Sequence, residues 1–419
     1  MTKTAPSFGL TQNLLIGALA LYLFGITAYG ISPLKYIGLY SALALYLLLW
    51  STSSKAMIDI YQDSFRNNKI LLTLLILFLC TTLISALLGY AGAVENLRDF
   101  RRSFLNIGIF LVIVLGIKEK KKLATTFFST LVLALISNTL YLAFHFFQHT
   151  PEVYENGHIN RFFSFHYDYL VPFGVVMLFL IRSLFLRALL IFLLAAGLVE
   201  MFLTGARGAW ISIAFSLFIL AVFAYYRFKN YRKYILYGLG GALVTLAIAF
   251  AGVYRTSAWV QKKFHEGVLY PNGRDTIVKE RLPIFLKYGN HLYGIGGPGN
   301  SSYHKFLNDH HAPHHYGTYE HGTFRYFSDE PFLLQIFYKL GTIGLVGFIS
   351  LFILIAVNLL RVVFNPQTPF ALSLFSMAIF ASFVSYFLVR GLVEGRELGY
   401  LLFYLALYFT LPKPSRRNL

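Results

Sequence analysis

The sequence predicts an all-α fold, a polytopic membrane bundle of about twelve transmembrane helices with one large aqueous loop. Three observations predict it. Hydrophobic residues make up 57% of the 419-residue chain against 13% charged, and the mean hydropathy is +0.61, a balance no soluble domain carries. Apolar runs long enough to cross a bilayer recur along almost the whole length. Between Arg255 and Pro331 they give way to a single polar, histidine-rich stretch.

Windows of about 19 residues place spans at 13–31, 34–50, 70–92, 103–117, 123–147, 165–181, 184–203, 208–226, 234–254, 332–360, 368–389 and 397–411. The first run has no small-residue cleavage site and is followed at once by a second, so it reads as a retained span and not a signal peptide. With the N-terminus in the cytoplasm, the even-numbered connections hold Lys55, Arg66 and Lys69, then Lys118 and Lys120 to Lys122, then Arg182 and Arg187, then Arg227, Lys229, Arg232 and Lys233, and finally Arg361. The dense basic clusters thus fall on one side, as the positive-inside rule requires, and both termini are expected in the cytoplasm. The chain divides into spans one to nine (1–254), a large outer loop (255–331), and the last three spans with a tail (332–419).

The formal charge of +18 does not indicate nucleic-acid binding, because the Lys and Arg residues sit in short clusters at the ends of apolar runs. The single cysteine, Cys80, precludes an intramolecular disulfide. On the outer side Arg207 stands out. It occupies the five-residue connection Thr204-Gly205-Ala206-Arg207-Gly208 between two apolar spans, where an arginine is costly without an anionic partner, and that partner can be a ligand.

The run Thr204-Gly205-Ala206-Arg207-Gly208-Ala209-Trp210 resembles the "TGSRGAW" signature of the bacterial O-antigen ligase and O-antigen polymerase superfamily. Further strings are similar in the expected order. Arg161-Phe162-Phe163-Ser164-Phe165 resembles an arginine-led segment of that family, Asn272-Gly273-Arg274 its "SGR" stretch, and His291 through Asn300 its "PLFGVGPGNF" turn. Phe332 through Leu345 resembles the "HNLYLQLLAELGLLGL" run after the loop. The match departs at one place: where the ligases carry a His-Asn pair, this chain has Ser328-Asp329-Glu330-Pro331, and acidic residues near that point are more typical of the polymerases.

The resemblance implies a GT-C-like inverting glycosyltransferase of the bacterial inner membrane with its site facing the periplasm. The donor would be an undecaprenyl-pyrophosphate-linked glycan. The acceptor would be another saccharide (polymerase) or a lipid A-core (ligase), with membrane lipid and polysaccharide-assembly proteins as surroundings, and neither a cofactor nor a metal. A departing pyrophosphate calls for fixed positive charge, which arginine forks supply. The candidates are Arg207, Arg274, Arg161 and Arg281, of which Arg274 and Arg281 are also readable as solvated loop arginines paired with Asp275 or Glu280. The acceptor hydroxyl needs a general base, for which Glu330, Asp329 and His321 are the candidates. The acids also fit helix-capping positions, with Pro331 at N1. The cluster His310, His311, His314, His315 and His321 reads as a metal site, as substrate contact alongside Tyr303, Tyr316, Tyr319 and Tyr326, or as a solvated loop. A transporter or flippase is the reading from another class, with Glu200 and Asp168 as its intramembrane acids.

Overall fold

The computed structural model describes residues 6–150, 154–155, 158–160, 163–265, 274–320, 322–327, 331–391 and 397–411. Among these the fold is all-α apart from two short hairpins. Nine helices come first: α1 (Pro6–Thr27), α2 (Ser32–Asn67), α3 (Lys69–Leu87), α4 (Ala93–Leu115), α5 (Lys120–Phe147), α6 (Ser164–Met177), α7 (Leu184–Leu203), α8 (Arg207–Arg227) and α9 (Arg232–Thr256), with the hairpin β1 (Tyr154–Glu155) and β2 (His158–Ile159) before α6. A cap follows, made of α10 (Ala258–His265), α11 (Arg274–Tyr288), α12 (Ser301–Asp309), β3 (Gly317–Glu320) and β4 (Thr323–Tyr326). The chain then returns to the bundle through α13 (Phe332–Phe364), α14 (Phe370–Val384), a π-helical turn Ser385–Arg390, and α15 (Tyr400–Thr410).

All twelve expected apolar segments are helical, and eight helices among the described residues are long and apolar enough to cross a membrane. α6, with 14 residues and an internal Pro172, and α15, with 11, fall short of the roughly 20 residues a crossing takes. α4 opens on a charged half that holds Glu95, Arg98, Asp99, Arg101 and Arg102. The bundle centre is α14 and α15, which are buried almost all round, as helices without a polar face must be.

The basic clusters gather at one end, where several of them close helix C-termini. Lys120 Nζ donates to the carbonyl oxygen of Val114 at 2.7 Å, Arg227 Nε to Val363 at 3.0 Å and Arg232 Nε to Tyr225 at 3.1 Å. A cation there satisfies carbonyls that have no intrahelical partner and complements the helix dipole.

Two helices expected as straight runs are sharply bent. α13, expected as one span, is broken at Gly341, whose φ of 68° and ψ of −168° are not helical. The ring of Phe332 lies 5.2 Å from that of Phe348, whereas a straight helix would separate their backbones by roughly 24 Å. Phe332–Leu340 therefore folds towards the span that starts at Thr342. α2 bends in the same way at Ser53, bringing the hydroxyls of Tyr46 and Tyr61 to 2.9 Å.

Candidate functional site

The cap has its own core, with Phe285, Tyr303, Phe306, Leu307, Phe324, Tyr326 and Tyr338 buried together. Its centre is Arg281, 1% exposed, set among the rings of Tyr303 and Tyr326. Its guanidinium donates to the Tyr303 hydroxyl at 2.5 Å and to the carbonyl oxygens of Phe327 at 2.7 Å, His315 at 3.2 Å and Tyr316 at 3.3 Å. A buried guanidinium is tolerated when its protons are matched in this way. The loop partners considered for it from the sequence lie elsewhere: Asp275 pairs with Lys279 at 3.7 Å and Glu280 with His315 at 2.8 Å. Arg281 binds the cap's own backbone and draws the histidine-rich turn onto α11.

That turn is not helical, in keeping with Pro313. His310 stacks on Tyr288 with centroids 4.3 Å apart, His314 stacks on Phe324 at 4.6 Å, and His314 Nδ1 meets the Tyr319 hydroxyl at 2.8 Å. The imidazoles are thus dispersed over the cap surface. Among the described residues no group of three or more His, Cys, Asp or Glu side chains could hold a metal ion. Tyr316 and Tyr319 are exposed, whereas Tyr303 and Tyr326 belong to the cap core, so the four tyrosines considered together from the sequence do not share a surface. Burial pushes the Tyr326 phenol up, with Arg281 opposing the shift. On α12, burial and then the nearby cations Lys339 and Arg325 push His304 down to about 4, so its imidazole is neutral at neutral pH.

The glycine-rich turn at 291–297 joins the cap to the bundle. Ile295 N donates to the Tyr338 carbonyl at 2.9 Å, Thr342 N to His291 at 2.8 Å, and the Ser85 hydroxyl at the end of α3 to Tyr293 at 2.6 Å. Gly341 is required here: a Cβ would stand 2.3 Å from the Leu292 carbonyl oxygen, and its φ is one that L-residues rarely adopt.

Thr204 to Trp210 forms a tight crossing between α7 and α8. The Thr204 hydroxyl donates to Met201 at 2.7 Å and accepts from Ala206 N at 3.2 Å, and Trp210 Nε1 donates to Met201 at 2.9 Å. Gly205 has φ +62 and lies against the indole of Trp259 on α10. Each of these contacts fixes Arg207 as the first residue of α8, 6% exposed, with Nη1 3.4 Å from the Lys263 carbonyl oxygen. Its guanidinium therefore stands beside the positive end of a 21-residue helix, against the last turn of α10. Arg274 opens α11 and is half-buried. Arg161, His321, Asp329 and Glu330 lie outside the described residues. Pro331 stands at the N-cap of α13 and not at N1, and Phe332 N is held by the Gly391 carbonyl at 2.7 Å.

One polar group missed from the sequence lies directly behind that anchor. Arg390, fully buried, pairs with Asp168 and donates to the Ser164 carbonyl at 3.0 Å and hydroxyl at 2.7 Å. The π-helical turn carries the guanidinium onto α6, a distortion often found at functional positions. The signal was an arginine just past one apolar run and an aspartate at the start of another, though nothing in the spacing paired them. Nearby, Glu200 Oε2 and the Tyr167 hydroxyl are buried with no hydrogen-bond partner among the described residues. A Cβ at Gly197, one turn before Glu200, would meet that hydroxyl at 1.7 Å, so both groups face the same point between α6 and α7.

Eight apolar helices, a folded polar cap and buried charge at the junction of the two define an all-α, membrane-embedded protein. Comparison with known protein families gives no match, and none of the curated proteins compared with the chain matches it.

Proposed function

We propose that the chain is an integral membrane glycosyltransferase that moves a preassembled glycan from an undecaprenyl-pyrophosphate donor to a saccharide acceptor, in the manner of O-antigen polymerases. Transfer to a lipid A-core, the ligase reaction, is the alternative acceptor. The observation that carries this reading is Arg207, an arginine nine-tenths buried at the N-terminus of a membrane helix, in a connection tied by the Thr204 hydroxyl. In the proposed reaction the acceptor oxygen forms a bond to the anomeric carbon and the bond to the pyrophosphate oxygen breaks. The pyrophosphate leaves with the electron pair, stabilised by Arg207 and the first amides of α8, with Arg274 as a second cation. The acceptor proton passes to a base at the cap-to-α13 junction, for which Glu330 is the first candidate, then Asp329 and His321. We place the protein in the bacterial inner membrane with the cap in the periplasm and both termini in the cytoplasm.

Transfer by the purified protein in nanodiscs, without an ion gradient, tests the reading. Arg207→Lys keeps the charge and loses the fork, so it should retain expression and lose about 10²-fold or more in rate. Parental turnover in both Arg207→Lys and Arg207→Ala removes the residue from the site. Glu330→Gln should melt within a few degrees of the parent and lose about 100-fold in rate. For orientation, an impermeant thiol reagent added from outside should label Ser301→Cys and not Lys120→Cys in a Cys80→Ala background. A surface-glycan gel of a deletion strain separates the acceptors: single-repeat products mark a polymerase, and uncapped core with accumulated lipid-linked polymer marks a ligase.

The buried Glu200, whose Oε2 has no hydrogen-bond partner among the described residues, supports a second reading, a lipid-linked glycan transporter, because intramembrane ionisable groups line transport paths. Gradient-dependent movement of the lipid-linked glycan with no transfer would decide for it.

A further inference from the structure

At the basic end, remote from the cap, a cavity of about 210 Å³ opens between the last turns of α2, the connection from α4 to α5, and the end of α15. One water needs only about 10–15 Å³ of such space. Two opposite charges face the cavity, Asp63 from α2 and Lys118 from the connection. Both are exposed, and among the described residues no ion pair or hydrogen bond engages either side chain. Lys120, also in the wall, is different: its ammonium is taken up by the carbonyls that end α4. Asn68 adds an amide oxygen that is buried without a partner among the described residues. The remaining wall mixes the apolar Ile60, Phe409 and Leu411 with the polar Ser64, Asn67 and Tyr408.

An anion alone would meet Lys118 but be repelled by Asp63, and a cation alone the reverse. The pair suits a ligand that carries a phosphate and an ammonium a few bonds apart. The level of the cavity indicates where such a ligand comes from. Beyond its bend at Ser53, α2 exposes Ile58 and Phe65, each 43% exposed, while Tyr61 ties it to the Val112 carbonyl near the end of α4. It therefore lies at the ends of the membrane helices with apolar side chains turned outward, as an interfacial segment does. We infer that this cavity is a binding site for the headgroup of a zwitterionic phospholipid of the phosphoethanolamine type, with the phosphate on Lys118 and the ammonium on Asp63. The inference is independent of the reaction proposed above.

The test uses the full chain in nanodiscs of phosphatidylethanolamine or phosphatidylglycerol with identical acyl chains, read by melting temperature and by native mass spectrometry of retained lipid. The parent should melt higher and retain lipid better with phosphatidylethanolamine. Lys118→Glu should abolish that preference and reduce retention on the order of tenfold. Asp63→Asn leaves the cation alone and should turn the preference towards phosphatidylglycerol. Equal melting of the parent in both lipids, or an unchanged preference in both variants, overturns the site. Stabilisation of detergent-solubilised protein by free glycerophosphoethanolamine to the same extent overturns the lipid as its source.

Discussion

The bends in α13 and α2 show two ways of breaking a long apolar helix, and they differ in what holds them. At Gly341 the break is built into the backbone: φ is positive, the Leu292 carbonyl occupies the place of a Cβ, and Thr342 N is committed to His291. At Ser53 the conformation, φ −147° and ψ 39°, stays on the side of φ that any L-residue adopts. There the bend is held by side chains, with Tyr46 bonded to Tyr61 and Trp50 stacked on Tyr61 at 6.0 Å. The first is a fixed joint under the cap, held by the backbone itself. The second is a joint whose stability depends on a few aromatic contacts.

The comparison can be broken most directly through the cap that fixes the Gly341 joint. Replacing Arg281 by Met removes a buried cation and strands several carbonyls, and should cost about 3–5 kcal/mol, seen as early proteolysis within 301–327 and a lower melting temperature in detergent. A variant that melts like the parent would mean the cap does not depend on its central guanidinium. Next, Gly341→Ala should cost roughly 2–4 kcal/mol through the positive φ and the clash with Leu292, and a cost below about 1 kcal/mol would place the bend with its side chains after all.

Smaller effects are expected at the other joint. Tyr46→Phe deletes one hydroxyl and should cost about 1 kcal/mol, while Ser53→Ala should stay within about 0.5 kcal/mol. If Ser53→Ala proves as costly as Gly341→Ala, the two bends are of one kind. The smallest effect is a pH response confined to the cap. His304 is held at about 4, below the ordinary histidine range. As pH falls through the ordinary range the unfolded chain takes up a proton that the folded cap refuses, so stability should fall from about pH 6.5 and level off below about 4. In His304→Gln that part of the melting-temperature profile should vanish, and an unchanged profile would assign the response to other groups.

Much of this was legible from the sequence. Helix is the only way an isolated apolar run can satisfy its backbone in lipid, so each of the twelve apolar segments is helical wherever its neighbours lie. The position of Arg207 could also be read, because the spans 184–203 and 208–226 leave only four residues between them. The bends could not. Ser53 sits in a run with no proline or glycine, and Gly341 becomes a joint only because a turn some fifty residues earlier packs against it.

Composition and periodicity determined the all-α class, the helical segments and the gathering of basic residues at helix ends, since these follow from local hydrophobicity and the helix's own unsatisfied termini. Tertiary structure alone decided that Arg281 turns inward to hold the cap, that Arg390 meets Asp168 across 222 positions, and that Asp63 and Lys118 face one cavity. The reason is physical. The partner that neutralises a buried charge is chosen by packing in three dimensions, and sequence spacing carries no record of it.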